Sequence, residues 1–262
     1  MSNVDSQVEK VPLGVTDILN EAFSMLFRNL PTLGLIILIP SVFETVVTAL
    51  TYGLSPDPSS ANASLNVGWN LDTTSLTTLA MTLLMIFLAG FGTAALTHAA
   101  FAARIGNSIN IAASMHRALQ HAPVVIVCLV LSSIPIAIGL MLLIVPGLLL
   151  MAMLMVLIPA IVIENAGFGA FSRSSDLTKG YRWPIVGLLA LYFVAFLCIS
   201  MGFSFVMAPL LLAGSAGQIA ILALNTILNA FFYGIGGLLA VLTYERLHDL
   251  KEGSSASAEV FS

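Results

Sequence analysis

Long apolar runs separated by short polar segments dominate the chain from Leu30 onward. A helix rises 1.5 Å per residue, so about 20 apolar residues cross a hydrocarbon core about 30 Å thick. By that measure the chain contains six spans, at about 30–52, 76–103, 122–144, 148–164, 184–212 and 218–244. The pattern therefore predicts an all-α polytopic membrane protein with both termini on one side of the membrane.

Two of the apolar stretches are too long for one crossing and must fold back on themselves. As one helix, residues 122–163 would be roughly 63 Å long, about twice the bilayer core. Val145–Gly147, near the middle, supplies turn chemistry, because proline presets φ and glycine permits positive φ. Between 184 and 242 the corresponding breaker is the small-residue segment Gly214–Gly217.

An amphipathic segment followed by a proline precedes three of the spans: 16–28 before Pro31, 107–121 before Pro123, and 170–182 before Pro184. Each predicts a helix that lies in the membrane interface, with its cations at headgroup level. Six residues are the candidate lipid contacts: Arg28, Arg117, Arg173, Lys179, Arg182 and Trp183. The recurrence indicates a three-part internal repeat. Alternatively, any such connection in an apolar chain is amphipathic, and the sequence leaves both interpretations open.

The composition agrees with a membrane protein. Charged residues are 8% of the 262 residues, against about 25% in soluble domains, and the mean hydropathy is +1.02. A soluble fold of this length would lack the polar side chains to cover its surface. The net charge of −4 and the nine scattered Lys and Arg residues argue against a nucleic-acid partner.

The basic residues also predict the orientation. The connections 53–75, 145–147 and 213–217 contain no Lys or Arg, so all nine basic residues fall on the other side. Because short loops rich in Lys and Arg stay in the cytoplasm, we expect both termini to be cytoplasmic. The domain prediction is a polar tail at 1–13, one six-span membrane domain at 14–250 and a flexible tail at 251–262.

Two stretches carry a family resemblance: "VPGLLLMAMLMVLIPAIVIENAGFGAFSRSSDLTKGYRW" and the closing "LTYERLHDLKEG". The chain resembles, over roughly residues 13–252, the membrane domain that precedes the catalytic domain in some bacterial glycerophosphodiester phosphodiesterases. It is also similar to stand-alone bacterial inner-membrane proteins of unknown function that share this domain. The resemblance implies a location in the bacterial inner membrane. The phosphodiesterase activity does not carry over, because a short tail follows the membrane part here.

Four residues form a candidate polar site within the membrane: Glu44, Asn225, Asn229 and Tyr233. A carboxylate inside a span costs at least about 2.5 kcal/mol, which makes Glu44 a functional candidate unless it is protonated or reaches the interface. The other three lie at i, i+4 spacing on one face of the last span. They either line a substrate path or hydrogen-bond to neighbouring helices.

Neither a catalytic constellation nor a metal or cofactor motif appears, so we expect a non-enzymatic protein without cofactors. The leading hypothesis is an accessory, scaffold or envelope-maintenance role through contacts with lipids, with another membrane protein or with a second copy of the chain. The alternative is a transporter or channel for a small solute or a lipid, and an intramembrane lipid enzyme is a third. Convergence of the polar site in one cavity would favour the transporter.

Overall fold

A computed structural model describes residues 13–52, 73–106 and 108–253. Over these residues the protein is helical, and six helical segments are long and apolar enough to cross a membrane. This confirms the predicted all-α, six-span architecture. The predicted tail at 1–13, apart from Leu13, most of the 53–75 loop and most of the 251–262 tail lie outside the described residues.

The α-helices described are α1 (Val15–Arg28), α2 (Leu30–Tyr52), α3 (Thr73–Arg104), α4 (Ile111–Leu142), α5 (Ile144–Leu154), α6 (Leu157–Glu164), α7 (Ala170–Thr178), α8 (Arg182–Met207) and α9 (Gly214–Glu252). Short 3₁₀ turns occupy Gly167–Gly169 and Ala208–Ala213. The basic end of the bundle is defined by Arg28, Arg104, Arg117, Arg173, Arg182 and Arg246. At the opposite end the chain reverses near Leu143 and Gly214.

Helix α9 is the centre of the bundle and packs against α1, α2, α3, α6, α7 and α8. Its 39 residues make a rod of about 58 Å, longer than a bilayer core, so the helix extends beyond the membrane. Near the basic end Leu238, Tyr244 and Leu247 are fully buried. The last turn reaches Glu252, two residues into the predicted flexible tail.

The first predicted interfacial helix is present as α1, and its apolar side packs inward. Ile18, Ala22 and Leu26 are buried, whereas Arg28 is exposed. Helix α1 contacts α9, so its apolar face lies against protein.

The second predicted interfacial helix is not separate, because α4 runs without a break through Pro123. The Asn110 side chain caps its start by accepting a hydrogen bond from the Ala113 amide at 3.1 Å. Transmembrane helices tolerate an internal proline where neighbouring groups satisfy the freed backbone. Within this segment Ser114 is buried, whereas Leu119 is 60% exposed. The apolar residue therefore faces outward, the direction in which a membrane helix meets lipid.

The turn between α4 and α5 falls at Leu143, which is extended, and the predicted turn residues lie just beyond it. Pro146 sits in the first turn of α5, where a missing N–H costs little. Gly147 is needed for close packing and has no positive φ. A Cβ there would lie 2.7 Å from the amide nitrogen of Leu140 on the facing helix. At the second predicted turn Gly214 does have a positive φ, of 62°, as expected.

The fourth span is interrupted at Met155–Val156, where α5 ends and α6 begins. Such an interruption leaves the last carbonyls of α5 without their helical partners. The Ser174 hydroxyl, from α7, donates to the Met153 carbonyl at 2.6 Å. Ser174 and Thr178 are fully buried for this reason. The polar stretch before α8 is thus partly an internal cap for the broken span.

Candidate functional site

The four residues of the candidate polar site line a single cavity of about 380 Å³. The cavity lies between α2, α3, α8 and α9, and we call it the polar pocket. Its wall comprises Ser41, Glu44, Thr45, Thr48, Ala89, Tyr192, Phe196, Leu222, Asn225, Thr226, Asn229, Phe232 and Tyr233. Helices that cross the membrane far apart in sequence therefore bring their polar residues to one place.

Helix α2 supplies one wall through residues three and four apart, which share a helix face: Ser41, Glu44, Thr45 and Thr48. The Thr45 hydroxyl lies 2.8 Å from the Thr226 hydroxyl of α9 and 2.9 Å from the Ser41 carbonyl. Thr226 in turn lies 2.8 Å from the Leu222 carbonyl. This hydroxyl pair fixes the seam between α2 and α9.

Helix α9 supplies the opposite wall and is held in place by tyrosine. The Tyr233 hydroxyl donates to the Ala89 carbonyl on α3 and lies 3.1 Å from the Thr93 hydroxyl. On α8, the Tyr192 hydroxyl donates to the Phe232 carbonyl at 3.0 Å. Both tyrosines are therefore oriented by hydrogen bonds to backbone carbonyls of other wall residues, which gives the pocket two fixed aromatic walls.

Helices α2 and α3 approach each other closely beside the pocket. Pro40 lies inside α2, and a Cβ on Gly92 would come within 3.0 Å of its ring and 3.4 Å of the Tyr233 ring. A glycine at position 92 therefore leaves room for the proline and the tyrosine to approach closely. Glu44 lies one turn beyond Pro40 and lines the pocket.

The remaining polar groups of the pocket have free hydrogen-bonding capacity. Within the described residues no hydrogen bond joins the side chain of Glu44, Asn225 or Asn229 to another protein group. Glu44 and Asn229 are exposed, and Asn225 is half-buried. A carboxyl and two amides can together accept from and donate to a polar ligand. An uncompensated carboxylate at membrane depth favours a cationic or hydrogen-bond-donating partner.

At the basic end, Arg173 joins α6, α7 and α9. Its Nε lies 2.8 Å from a Glu164 carboxylate oxygen, and its Nη2 lies 2.9 Å from a Glu252 oxygen. The Tyr244 hydroxyl also donates to Glu164, at 2.5 Å. Hydrogen bonds first to Glu252 and then to Glu164 raise the pKa of Arg173 above its usual value, despite the opposing effect of burial. We call these four residues the Arg173 cluster.

A second ion-pair group joins α1, α3 and α9 at the same end. Arg104 reaches Glu21 at 2.5 Å and Glu245 at 2.8 Å. His248 lies 3.0 Å from Glu252, next to the Arg173 cluster. Among the described residues no group of three His, Cys, Asp or Glu side chains is arranged to hold a metal ion.

The six predicted lipid contacts divide into two sets. Arg28, Lys179 and Trp183 are exposed, as a headgroup contact requires. The other three are engaged with protein: Arg173 as above, Arg117 with the Asn165 side chain at 3.1 Å, and Arg182 with the Ser175 hydroxyl at 3.2 Å. The guanidinium groups of these three have partners within the bundle, and headgroup contact remains a prediction for all six residues.

Sequence reasoning missed several pocket residues. Ser41, Thr45 and Thr48 share the helix face of Glu44, so their spacing alone could have added them. Tyr192 has no polar neighbour at helical spacing that would mark it in the sequence. Thr226 lies beside Asn225 and Asn229, but its partner on α2 could not be read from the sequence.

Comparison with known proteins places the chain in a family without a defined activity. A family model described as "Domain of unknown function (DUF7847)" matches residues 74–247, more than half of the chain. The chain therefore belongs to this family. No curated protein and no solved structure matches it. The matched region includes most of the polar pocket's wall and excludes α1 and α2, which carries Glu44.

Proposed function

We propose that this member of the DUF7847 family is a non-enzymatic membrane transporter or carrier that binds a small polar solute, or the polar head of a lipid, in the polar pocket. The observation that carries the proposal is the convergence of Glu44, Asn225, Asn229 and Tyr233 on one cavity between four helices. Side chains that served only to join helices would be paired with one another. Here the carboxyl and both amides are left for a ligand.

The chemistry of the wall favours a ligand with hydrogen-bond donors. Glu44 accepts, and the two asparagines both donate and accept. Within the membrane a donor group, above all an ammonium, compensates the carboxylate that the protein leaves unpaired. We therefore expect amines and alcohols to bind better than anions.

The resemblance to bacterial inner-membrane proteins supports the rest of the proposal. We place the chain in a bacterial inner membrane with both termini in the cytoplasm, because the basic residues gather at the end of the bundle where α1 and α9 have their outer turns. The resemblance to the phosphodiesterase membrane domain adds lipid-derived molecules as ligands to be tested.

The proposal is tested with ethanolamine, which carries both an ammonium and a hydroxyl donor. The protein is reconstituted in phosphatidylcholine nanodiscs, and its thermal unfolding is followed by circular dichroism as ethanolamine is added. A ligand at ten times its Kd stabilises a protein by about 1.4 kcal/mol. We expect a saturable rise in melting temperature that Glu44→Gln abolishes.

Ser204→Ala is the matched control, since Ser204 lies on α8 outside the pocket and bonds to its own helix at Ser200. It should behave as the wild type. Native mass spectrometry of protein released from membranes provides a second measurement, because bound lipids or solutes should be lost in Glu44→Gln and kept in Ser204→Ala. If neither measurement distinguishes the two variants, the pocket is not a ligand site and the proposed function is wrong.

A second candidate function is the scaffold role through lipid contacts. It is favoured by one observation, the exposure of Arg28, Lys179 and Trp183 around the basic end. Replacing Arg28 and Lys179 together by glutamine would then reduce the anionic lipid that co-purifies, without changing the response to ethanolamine.

A further inference from the structure

An apolar groove of about 410 Å³ runs along the seam between α2 and α9, next to the polar pocket. Leu38, Val42 and Val46 line it from α2, and Ile219, Ala223 and Ile227 line it from α9. From Leu38 to Val46 it follows about 12 Å of helix. Val42, Val46, Ile219 and Ile227 are exposed, so the groove opens on the outer surface of the bundle.

The groove and the polar pocket meet at the same residues. Thr45, Leu222 and Thr226 line both cavities, and the Thr45–Thr226 hydroxyl pair stands at the boundary. Glu44 and Asn225 line only the polar pocket. Apart from the two threonines, the groove is lined by aliphatic side chains. The polar pocket and the apolar groove thus adjoin along the seam between α2 and α9.

We propose, on the basis of the proposed function, that the ligand is amphipathic: its hydrogen-bond-donating head lies against Glu44 and Asn225, and one hydrocarbon chain lies in the groove across Thr45 and Thr226. A small solute would occupy the polar pocket alone and make no contact with the adjoining groove. A molecule with a polar head and an apolar chain matches both cavities and their shared border. It also enters the site from the bilayer, where the groove opens.

The probe is a twelve-carbon alkylamine that carries a photoreactive diazirine in its chain. Its partner is the matching methyl ester, which has the same chain but no donor in its head. Each is added to the protein in phosphatidylcholine nanodiscs, irradiated, and mapped by peptide mass spectrometry. We expect the amine to label the peptides that contain Val42 and Ala223 at least tenfold more than the ester does.

Ala223→Trp fills the groove from α9 and should reduce labelling by the amine about tenfold, while the response to ethanolamine remains. Ala190→Trp is the matched control, since Ala190 is exposed on α8 and lines neither cavity. It should leave both measurements unchanged. Glu44→Gln should remove both. Size-exclusion profiles and circular dichroism establish that each variant is folded.

The two proposals fail in different ways. If ethanolamine stabilises the wild type but the amine labels no more than the ester, or labels Ala223→Trp as strongly, the pocket binds a solute and the amphipathic ligand is excluded. If amine and ester label all outward helix faces equally, the chains are ordinary bilayer lipid and the inference is overturned. Cross-linked dimers joined through the groove would show that a second copy occupies it, which also overturns the inference. If ethanolamine does not raise the melting temperature of the wild-type protein, the proposed function itself is contradicted.

Discussion

Replacing Arg173 by glutamine separates an internal ion pair from a contact with lipid headgroups. The side chains of Arg173, Glu164 and Glu252 are 27%, 13% and 32% exposed. Breaking a buried pair costs 3–5 kcal/mol, and an exposed pair contributes at most about 1 kcal/mol. The intermediate exposure, together with the Tyr244 hydroxyl that stays on Glu164, leads us to expect a loss of about 2 kcal/mol for Arg173→Gln.

The assay is equilibrium unfolding in a mild detergent by addition of sodium dodecyl sulfate, followed by circular dichroism. Lys179→Gln is the control, because Lys179 is exposed and carries the same charge at the end of the same helix. Surface substitutions of this kind change stability by less than about 0.5 kcal/mol. A double-mutant cycle with Glu164→Gln should give a coupling of about 1 kcal/mol or more.

Equal effects of Arg173→Gln and Lys179→Gln, with no coupling to Glu164, would refute the reasoning. Arg173 would then be one more interfacial cation, as the helical wheel of 170–182 suggested. We expect the two variants to rank in the opposite order when the amount of bound lipid is measured. Lys179→Gln should reduce co-purifying anionic lipid more than Arg173→Gln does, since the guanidinium is already held by two carboxylates.

Two further predictions concern packing and orientation. Gly147→Ala should destabilise the α4–α5 hairpin by about 1–3 kcal/mol in the same unfolding assay, because its Cβ would press on the backbone of the facing helix. Gly187→Ala is the control, since Gly187 has open space around it, and it should be neutral or slightly stabilising. In a cysteine-free background, Ser215→Cys should react with an impermeant maleimide from outside intact cells and His116→Cys only after lysis, and reaction of both from the same side would contradict the six-span topology.

The number and order of the spans could be predicted from the sequence because hydropathy and length depend only on local composition. Local signals were less reliable where they had two meanings. Pro123 was interpreted as a helix start and lies within α4, and Gly147 was interpreted as a turn residue and serves close packing. The role of each residue depends on which helix faces it, and the local sequence does not show that.

Only part of the polar pocket could be predicted from the sequence, for the same reason. One face of α9 carries Asn225, Asn229 and Tyr233 in a regular stripe, which any helical wheel displays. That Glu44 lies across from this stripe depends on how α2 packs against α9, and this cannot be read from either segment alone. The pairing of Arg173 with Glu252 joins residues 79 positions apart, and no local pattern predicts it.

The position of the pocket follows from an asymmetry along α9. Between Gly234 and His248 all but two residues of this helix are buried, whereas between Gly214 and Asn229 only Gly217, Ile221 and Thr226 are. The Arg173 cluster and the Arg104 pairs join the helices at the well-packed end. Segments with few buried contacts open at the lowest free energy. The polar pocket lies where α9 passes from its well-packed part to its sparsely packed part. Helices that are fixed at the basic end can therefore separate around a ligand without breaking the core that holds them.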